Sequence, residues 1–254
     1  MEKHLSVVII TFNEEKNIGR CIDSVRDIAD DIVVVDSFSS DKTPEICKNA
    51  RVRFFQREWM GYSEQKNYAN SLAIYDWIFS IDADEALSEE LKNSILCVKK
   101  DFKNPDFRIC RLTNYCGKWI HHSGWYPDIK VRFFDRRDHH WEGLIHERLN
   151  VNNESEIPLL KGDCFHYSYY TREGHKAQAR HLSKLVAVDM FNKGKSVNFV
   201  KYWLSPLFKF IKMFFLQLGF LDGIAGWSIA RISSNAVFIK YEKLKELYKT
   251  EKNQ

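Results

Sequence analysis

Short β-branched runs alternate with helical patterns over the first third of the chain, and this alternation constrains the fold more than any other feature. Residues 5–10 and 32–35 are strand-like, and between them apolar residues recur on one helical face over residues 18–28. Further strand patterns follow at residues 52–55 and 77–81. Strands and amphipathic helices in this order predict βαβ units and a parallel sheet covered on both faces.

The second half of the chain has a different character. Aromatic, strand-like segments at residues 107–112 and 130–134 predict a mixed sheet, and the sequence becomes helical and basic after about residue 171. With 254 residues, of which 44% are hydrophobic and 28% charged, the chain is long and apolar enough for one large domain with a modest appendage. We therefore expect an α/β fold with a helical, basic and aromatic C-terminal region.

Charge and cysteine content argue against several classes of protein. The net charge of +4 is too small to indicate nucleic-acid binding on its own. The six cysteines are scattered, without a C-x-x-C pair, so they indicate neither a zinc site nor a disulfide framework. The first apolar run is too short for a signal peptide. We expect a cytoplasmic protein with reduced cysteines in its core and no nucleic-acid partner.

Polar side chains follow three of the predicted strands, at the edge where an open α/β sheet binds its ligands. They are Thr11, Asn13 and Glu14 after the first strand, Asp36 after the second, and Asp82 and Asp84 after the fourth. Clustered carboxylates repel one another unless a cation lies among them, and hard divalent cations prefer oxygen ligands. The sequence therefore predicts a site for a metal and a diphosphate. For Asp41, before Lys-Thr-Pro, we expect a turn or helix cap instead.

Two sets of motifs carry a resemblance to a known family. The first set is Thr11-Phe-Asn-Glu14 after its strand, Val34-Val-Asp36, Gln65-Lys-Asn67 and Ile81-Asp-Ala-Asp84-Glu85. In order and spacing it resembles the family 2 inverting glycosyltransferases, which have the GT-A fold. The second set is Gly124-Trp-Tyr-Pro127, Arg132-Phe-Phe-Asp-Arg136, Ile145-His-Glu147, His166 and Gly219-Phe-Leu-Asp-Gly223. It resembles the branch that contains lipopolysaccharide core β-1,4-glucosyltransferases.

The resemblance implies a nucleotide-sugar site. Thr11, Asn13 and Glu14 would line the nucleotide pocket, Asp36 would meet the uracil or ribose, and Lys66 and Asn67 would border the nucleotide. Asp82, Ala83 and Asp84 match the family's D-x-D element, whose carboxylates reach the ribose and a Mn²⁺ or Mg²⁺ ion that bridges the two phosphates of a UDP-sugar. His166 is a candidate third metal ligand or a structural histidine. The chain departs from the family at Ser37-Phe38, where many members carry Asp-Gly.

An inverting transfer also needs a general base for the acceptor hydroxyl. The candidates are Asp128, Glu142 and Glu147. Glu147 matches a His-Glu pair of the resembled branch and comes first, with Glu142 second. A salt bridge from Glu147 to Arg148 or Arg132 is the competing interpretation.

The C-terminal region is rich in aromatic and basic residues. Over residues 201–221, Lys209, Lys212 and Pro206 interrupt the apolar sequence, which argues against a spanning helix and leaves an interfacial helix or a packed one. A basic stripe at four-residue spacing precedes it, formed by Arg172, Lys176, Arg180 and Lys184. The stripe faces either a phosphate-bearing lipid or water. We expect a GT-A domain at residues 1–170, with a nucleotide-sugar half at 1–115 and an acceptor half at 116–170. We expect a helical region at 171–254 that either associates with a membrane or packs against the domain.

Together these features predict a metal-dependent, inverting glycosyltransferase. It would move a hexose, glucose in the first place, from a UDP-sugar to a hydroxyl of a lipid-linked saccharide such as a lipopolysaccharide inner core. We expect it at the inner face of the cytoplasmic membrane, in peripheral contact with anionic lipid. Two alternatives remain open at this point: a polyprenyl-phosphate glycosyltransferase, and a non-catalytic scaffold that binds nucleotide sugars.

Overall fold

The computed structural model describes residues 4–100, 104, 106–143 and 147–252. The chain forms two compact units, residues 1–112 with 128–167 and residues 113–127 with 168–254, called here the N-terminal and C-terminal units. The division near residue 168 is close to the expected boundary, but residues 113–127 group with the C-terminal helices. The reason is packing, since Tyr115 and Ile120 share a buried cluster with Met213, Ile229 and Ala230.

The first half of the N-terminal unit is the expected series of βαβ units. The strands are β1 Leu5–Thr11, β2 Asp31–Asp36, β3 Arg53–Gln56 and β4 Trp77–Asp82, and the helices are α1 Ile18–Val25, α2 Thr43–Asn49 and α3 Tyr62–Leu72. These strands lie parallel in the order β3-β2-β1-β4. Alternate residues of β1 enter different apolar clusters, with Leu5, Val7 and Ile9 in one and Val8 and Ile10 in the other. Because successive side chains of a strand point to opposite faces, both faces of the sheet are covered.

Antiparallel strands extend this sheet, as the sequence predicts. The remaining elements up to residue 169 are β5 Glu85–Leu87, α4 Glu89–Lys100, β6 Phe107–Tyr115, β7 Lys118–Trp119, β8 Asp128–Asp135, β9 Trp141–Glu142, β10 Arg148–Leu149 and β11 Leu159–Tyr169. The sheet continues from β4 through β8, β6 and β11 to β5, and β9 pairs with β10 separately. The α/β fold class with a mixed central sheet is therefore confirmed.

The C-terminal unit is built mainly from helices. They are α5 Arg172–Asn192, α6 Phe199–Ile211 and α7 Ile224–Lys252, and α7 packs against both α5 and α6. The hydroxyl of Thr171 caps α5 by accepting a hydrogen bond from the Gly174 amide at 3.0 Å. Within the described ranges, no helix combines the length and the apolar character needed to cross a bilayer.

The cysteines follow the sequence prediction in part. All six are free thiols. Cys21, Cys47, Cys110 and Cys164 are buried, but Cys97 and Cys116 are exposed. The expectation that all six pack in the core is therefore wrong for these two.

Candidate functional site

Two carboxylates at the end of β4 lie at the centre of a charged cluster in the N-terminal unit. Asp82 is the last residue of β4. One of its oxygens lies 2.9 Å from the ammonium group of Lys66 and the other 2.7 Å from the guanidinium group of Arg132. Burial alone would raise the pKa of Asp82, but these two cations hold it well below its usual range. Asp82 is therefore anionic and already engaged on both oxygens.

Lys66 connects Asp82 to the preferred candidate base. Its side chain is almost fully buried, and its Nζ also lies 3.1 Å from Oε1 of Glu147 and 4.7 Å from the centre of the Trp141 ring.

The other two candidate bases, Glu142 and Asp128, have different partners. Glu142 has a half-exposed side chain paired with His140 at 3.0 Å. In Asp128, burial is outweighed by Arg111 and Lys130, which lower its pKa and make it a weak base. Ile145 and His146 of the predicted motif lie outside the described residues.

Three further charged residues complete the cluster, and none of them is a predicted site residue. Glu85 is fully buried and accepts hydrogen bonds from Arg111 at 2.9 Å and from the Asp82 amide at 3.0 Å. Arg132 on β8 lies 3.4 Å from the same carboxylate. Glu85 and Arg132 both belong to motifs quoted above, so the sequence contained the signal. Their partners come from distant strands, which no local pattern specifies.

The second carboxylate, Asp84, pairs with the predicted histidine. Its Oδ2 lies 3.2 Å from Nε2 of His166 on β11. Burial would lower the pKa of His166, but the hydrogen bond and charge of Asp84 outweigh it and raise that pKa. Glu14 is close enough for Asp84 to affect its titration: burial, and then the charges of Asp84 and Asp41, raise the pKa of Glu14 despite a hydrogen bond from Asn17. Three groups with metal-ligand chemistry thus adjoin the end of β4.

The metal expectation fits these residues in part. Two ligands in one octahedral shell at about 2.2 Å from the ion lie about 3 Å apart, and the Asp84–His166 separation of 3.2 Å suits such a pair. Asp82, turned toward Lys66 and Arg132, does not join them. Among the described residues, no group of three or more His, Cys, Asp or Glu side chains is arranged to hold a metal. Asp84 and His166 contact each other in this structure, so the metal site stays a prediction.

The remaining predicted residues border the same edge or stabilise it. Thr11 is buried, and its hydroxyl has no hydrogen-bond partner in the described structure. Ala83 is also buried. The exposed Asn13 orders the loop after β2 by accepting a hydrogen bond from the Ser40 amide at 2.9 Å. The side-chain amide of Asn67 donates a hydrogen bond of 2.9 Å to the Trp141 carbonyl and accepts one of 2.8 Å from the Trp141 backbone amide. These two bonds fix β9 beside α3.

The loop after β2 explains both Asp36 and the departure from the family pattern. Asp36 is fully buried, and its carboxylate accepts hydrogen bonds from the Ser39 amide at 2.9 Å and from Gln56 at 3.0 Å. Its carboxylate is therefore hydrogen-bonded within the protein, and its contact with a nucleotide stays a prediction. Phe38 has φ = 60°, the left-handed region that favours Gly, so the Gly that the resemblance leads one to expect at this position would suit this backbone better. Asp41 accepts from the Thr43 amide at 2.9 Å in the turn before α2, which confirms its structural role.

One neighbouring aromatic residue has no sequence signal. Tyr62, the first residue of α3, is about half exposed. Burial and the charges of Glu147, Asp82 and Asp84 raise the pKa of its hydroxyl. The charges of the candidate base and of the carboxylates after β4 therefore act on Tyr62.

Comparison with known proteins identifies the class to which this fold and this site belong. The model of the family "Glycosyl transferase family 2" matches residues 6–118. An uncharacterised glycosyltransferase of Rickettsia typhi is 31% identical over 259 residues, which cover 96% of this chain and 88% of the relative. The chain therefore belongs to glycosyl transferase family 2.

Other relatives and structures are more distant. The lipopolysaccharide core biosynthesis glycosyltransferase LpsC of Rhizobium meliloti is 26% identical, with 94% of this chain and 91% of LpsC covered. A crystal structure of TarS from S. aureus in complex with UDP-GlcNAc has a TM-score of 0.47 and 16% identity, and covers 98% of this chain and 92% of that one.

Proposed function

We propose that this glycosyltransferase moves a hexose, glucose in the first place, from a UDP-sugar to a hydroxyl of a lipid-linked saccharide, with inversion at the anomeric carbon. The observation that carries the proposal is the Lys66 ammonium group, which bridges a strand-end carboxylate, Asp82, and a second carboxylate, Glu147. A donor-side group and a base are thereby held in one rigid cluster. Family membership supplies the reaction class.

The charge balance of the cluster supports a divalent cation. Among its described side chains, carboxylates outnumber cations even when the titratable His166 is counted as a cation: Asp82, Asp84, Glu85, Asp128, Glu147 and Glu14 face Lys66, Arg111, Lys130, Arg132 and His166. An anionic diphosphate would be repelled by such an excess. Asp84 and His166 would hold Mn²⁺ or Mg²⁺, which when bound neutralises charge on the departing diphosphate. Asp82 stays with Lys66 and Arg132.

Glu147 is suited to take the proton from the acceptor. As the acceptor oxygen forms its bond to the anomeric carbon, the bond from that carbon to the β-phosphate oxygen breaks and UDP departs. The acceptor proton goes to the Glu147 carboxylate, whose side chain is one-fifth exposed. Lys66, 3.1 Å from Oε1 of Glu147, fixes the position of this carboxylate.

Thermal unfolding with UDP, with GDP and with neither, each with and without Mn²⁺, tests the nucleotide site without any acceptor. Ligand at ~100 times its dissociation constant adds about 2.7 kcal/mol. At roughly 2–4 °C per kcal/mol for a chain of this size, the midpoint should rise by about 5–10 °C. We expect this rise with UDP and Mn²⁺ together. A shift with GDP alone would contradict the UDP assignment, and no shift with either would contradict the site.

Replacing the proposed base distinguishes a sugar hydroxyl from a phosphate acceptor. Glu147→Gln keeps the shape of the side chain but cannot take a proton, so we expect turnover to fall roughly 10²- to 10⁴-fold with the UDP-induced shift retained. Glu142→Gln is the matched control and should retain activity. Near-normal turnover of Glu147→Gln would instead favour a polyprenyl-phosphate acceptor, which needs no strong base.

The similarity to LpsC along most of both chains supports a lipopolysaccharide core as the acceptor. Assays of the purified chain with UDP-glucose and truncated core lipopolysaccharides would test this choice. Transfer to a core acceptor is the expected result. Transfer only to polyprenyl phosphate would contradict it.

We further propose peripheral contact with an anionic membrane through α6 and the turns after it. Large apolar side chains are exposed there, with Phe199 75%, Leu216 68% and Phe208 60% accessible. Lys209 and Lys212 interrupt them. Exposed apolar residues with lysines among them are typical of helices that lie in a membrane interface.

Flotation of the whole chain with phosphatidylglycerol vesicles tests the contact. Phe208→Glu should reduce the bound fraction several-fold because it puts a like charge against the membrane. Ile74→Glu, at a residue of the N-terminal unit that is 59% exposed, is the control and should float like the wild type. Equal flotation of both variants would contradict the assignment to α6.

A further inference from the structure

The C-terminal unit contains a groove that the catalytic argument does not use. Residues of α5, α6 and α7 line it, and its volume is about 1170 Å³. Ligand sites for small molecules span roughly 300–1,000 Å³, so the groove can admit a molecule larger than a single ion. All of its lining residues belong to one compact unit.

One side of the groove is basic and largely without acidic partners. Arg172, Lys176, Arg180 and Lys184 recur every fourth residue of α5 and all line the groove, as does Arg231 of α7. Lys176 is paired with Glu173 at 3.6 Å. Glu173 is the one acidic residue that lines the groove in the described part of the chain. Arg180, Lys184 and Arg231 have no carboxylate partner within the described residues. Positive charge is therefore available to a ligand.

Another side of the groove is aromatic. Trp203 of α6 and Phe238 of α7 both line it, with ring centres 5.9 Å apart, and Trp203 is 54% exposed. The hydroxyl of Ser234 donates a hydrogen bond of 2.7 Å to the Pro206 carbonyl, which ties α7 to α6 beneath this surface. The aromatic surface is thus held in place by helix packing.

We infer that the groove binds one molecule of a lipid whose phosphate headgroup carries a net negative charge. Arg180, Lys184 and Arg231 would hold the phosphate, since guanidinium and ammonium groups without carboxylate partners match phosphate oxygens. Trp203 and Phe238 would cover the first carbons of the chain. A free phosphate would leave the aromatic side uncovered, and an uncharged lipid would leave the cations unpaired. That the lipid is the acceptor rests on the function proposed above; the binding itself does not.

Calorimetric titration of the whole chain with monomeric dihexanoyl phosphatidic acid tests the inference, because a monomeric lipid offers no bilayer surface. Dihexanoyl phosphatidylcholine and inorganic phosphate are the comparison ligands. We expect one saturable site for phosphatidic acid, with affinity about tenfold higher than for either comparison ligand. Equal binding of both lipids would overturn the inference, as would tighter binding of inorganic phosphate. Binding only to phosphatidic acid vesicles would also overturn it and assign these cations to the membrane surface.

Two variants and a control locate the site. Arg180→Gln with Lys184→Gln should weaken phosphatidic acid binding about tenfold or more. Trp203→Ala should weaken lipid binding but leave that of inorganic phosphate unchanged. Lys48→Gln with Lys161→Gln removes two exposed charges from the N-terminal unit and should bind as the wild type does. Unchanged lipid binding by the first variant would contradict the site.

The UDP-induced shift of each variant separates this inference from the proposed function. A wild-type chain that binds phosphatidic acid but shows no shift with UDP would support the groove and contradict the nucleotide site. The reverse result would contradict the groove alone. Because the substituted side chains are exposed or line an open groove, all variants should unfold near the wild-type temperature.

Discussion

The cations of the two units are placed in opposite ways. In the N-terminal unit, Lys66 and Arg132 are almost fully buried and lie within 3.1 Å of carboxylate oxygens. In the C-terminal unit, the basic residues of α5 are exposed, and Arg180 and Lys184 have no carboxylate partner in the described ranges. In the first arrangement the positive charge is neutralised by carboxylates of the protein. In the second it is available to an anion from outside the protein.

This difference follows from the cost of burying charge. A buried cation without an anion would cost several kcal/mol, so Lys66 and Arg132 require their partners for folding as well as for chemistry. Exposed cations are solvated and cost little in the folded state. The contrast supports our proposals that the reaction takes place at the N-terminal cluster and that the C-terminal helices recognise an anionic partner.

Among the substitutions that compare the two units, the largest expected effect is on activity, from Asp84→Asn in the N-terminal cluster. The substitution removes the charge that would bind a cation with His166, so we expect sugar transfer to fall roughly 10²- to 10³-fold. Asp189→Asn on α5, where the carboxylate pairs with Lys193 at 2.8 Å on the surface, should leave transfer unchanged. Initial rates with UDP-glucose measure both. Full recovery of Asp84→Asn at saturating Mn²⁺ would contradict the ligand role.

The next effect is on stability, and one exchange made in both units compares them directly. Lys66→Met leaves Asp82 and Glu147 facing a neutral side chain, so we expect the free energy of unfolding to fall by about 3 kcal/mol. Lys184→Met removes an exposed charge and should change it by less than about 0.5 kcal/mol. Urea titrations measure both variants. An equal decrease in the free energy of unfolding for both variants would show that the buried ion pairs of Lys66 do not stabilise the fold.

The sequence predicts the layers of the fold because periodicity and strand-end chemistry are local properties. The positions of β1, β2 and β4 and the acidic edge follow from apolar runs that end in polar residues. Residues 113–127 could not be placed, since their packing depends on α7, about 100 residues away. The ion pair between Asp82 and Arg132 could not be predicted from the sequence either, because it depends on the pairing of β4 with β8.

Two histidines, the partly buried His166 and the buried His175, extend the comparison of the units to their pH dependence. In the N-terminal unit, Asp84 raises the pKa of His166, so the protonated form stabilises the fold and that contribution is lost as the pH rises. In the C-terminal unit, His175 lies among Tyr115, Trp125 and Tyr169, with its Nδ1 3.2 Å from the Tyr115 hydroxyl. Burial there lowers the pKa of His175 to about 4.

The smallest predicted effect is therefore an acid-dependent loss of stability that originates in the C-terminal unit. Below its ordinary pKa of 6.5, His175 takes up a proton in the unfolded chain but not in the folded one until about pH 4. Because the unfolded state then binds more protons, the free energy of unfolding decreases as the pH is lowered, by about 2 kcal/mol from pH 7.5 to pH 5. Urea titrations should show this loss reduced in His175→Gln but retained in His166→Gln. If His175→Gln kept the full dependence, acid sensitivity would have to be assigned to other groups.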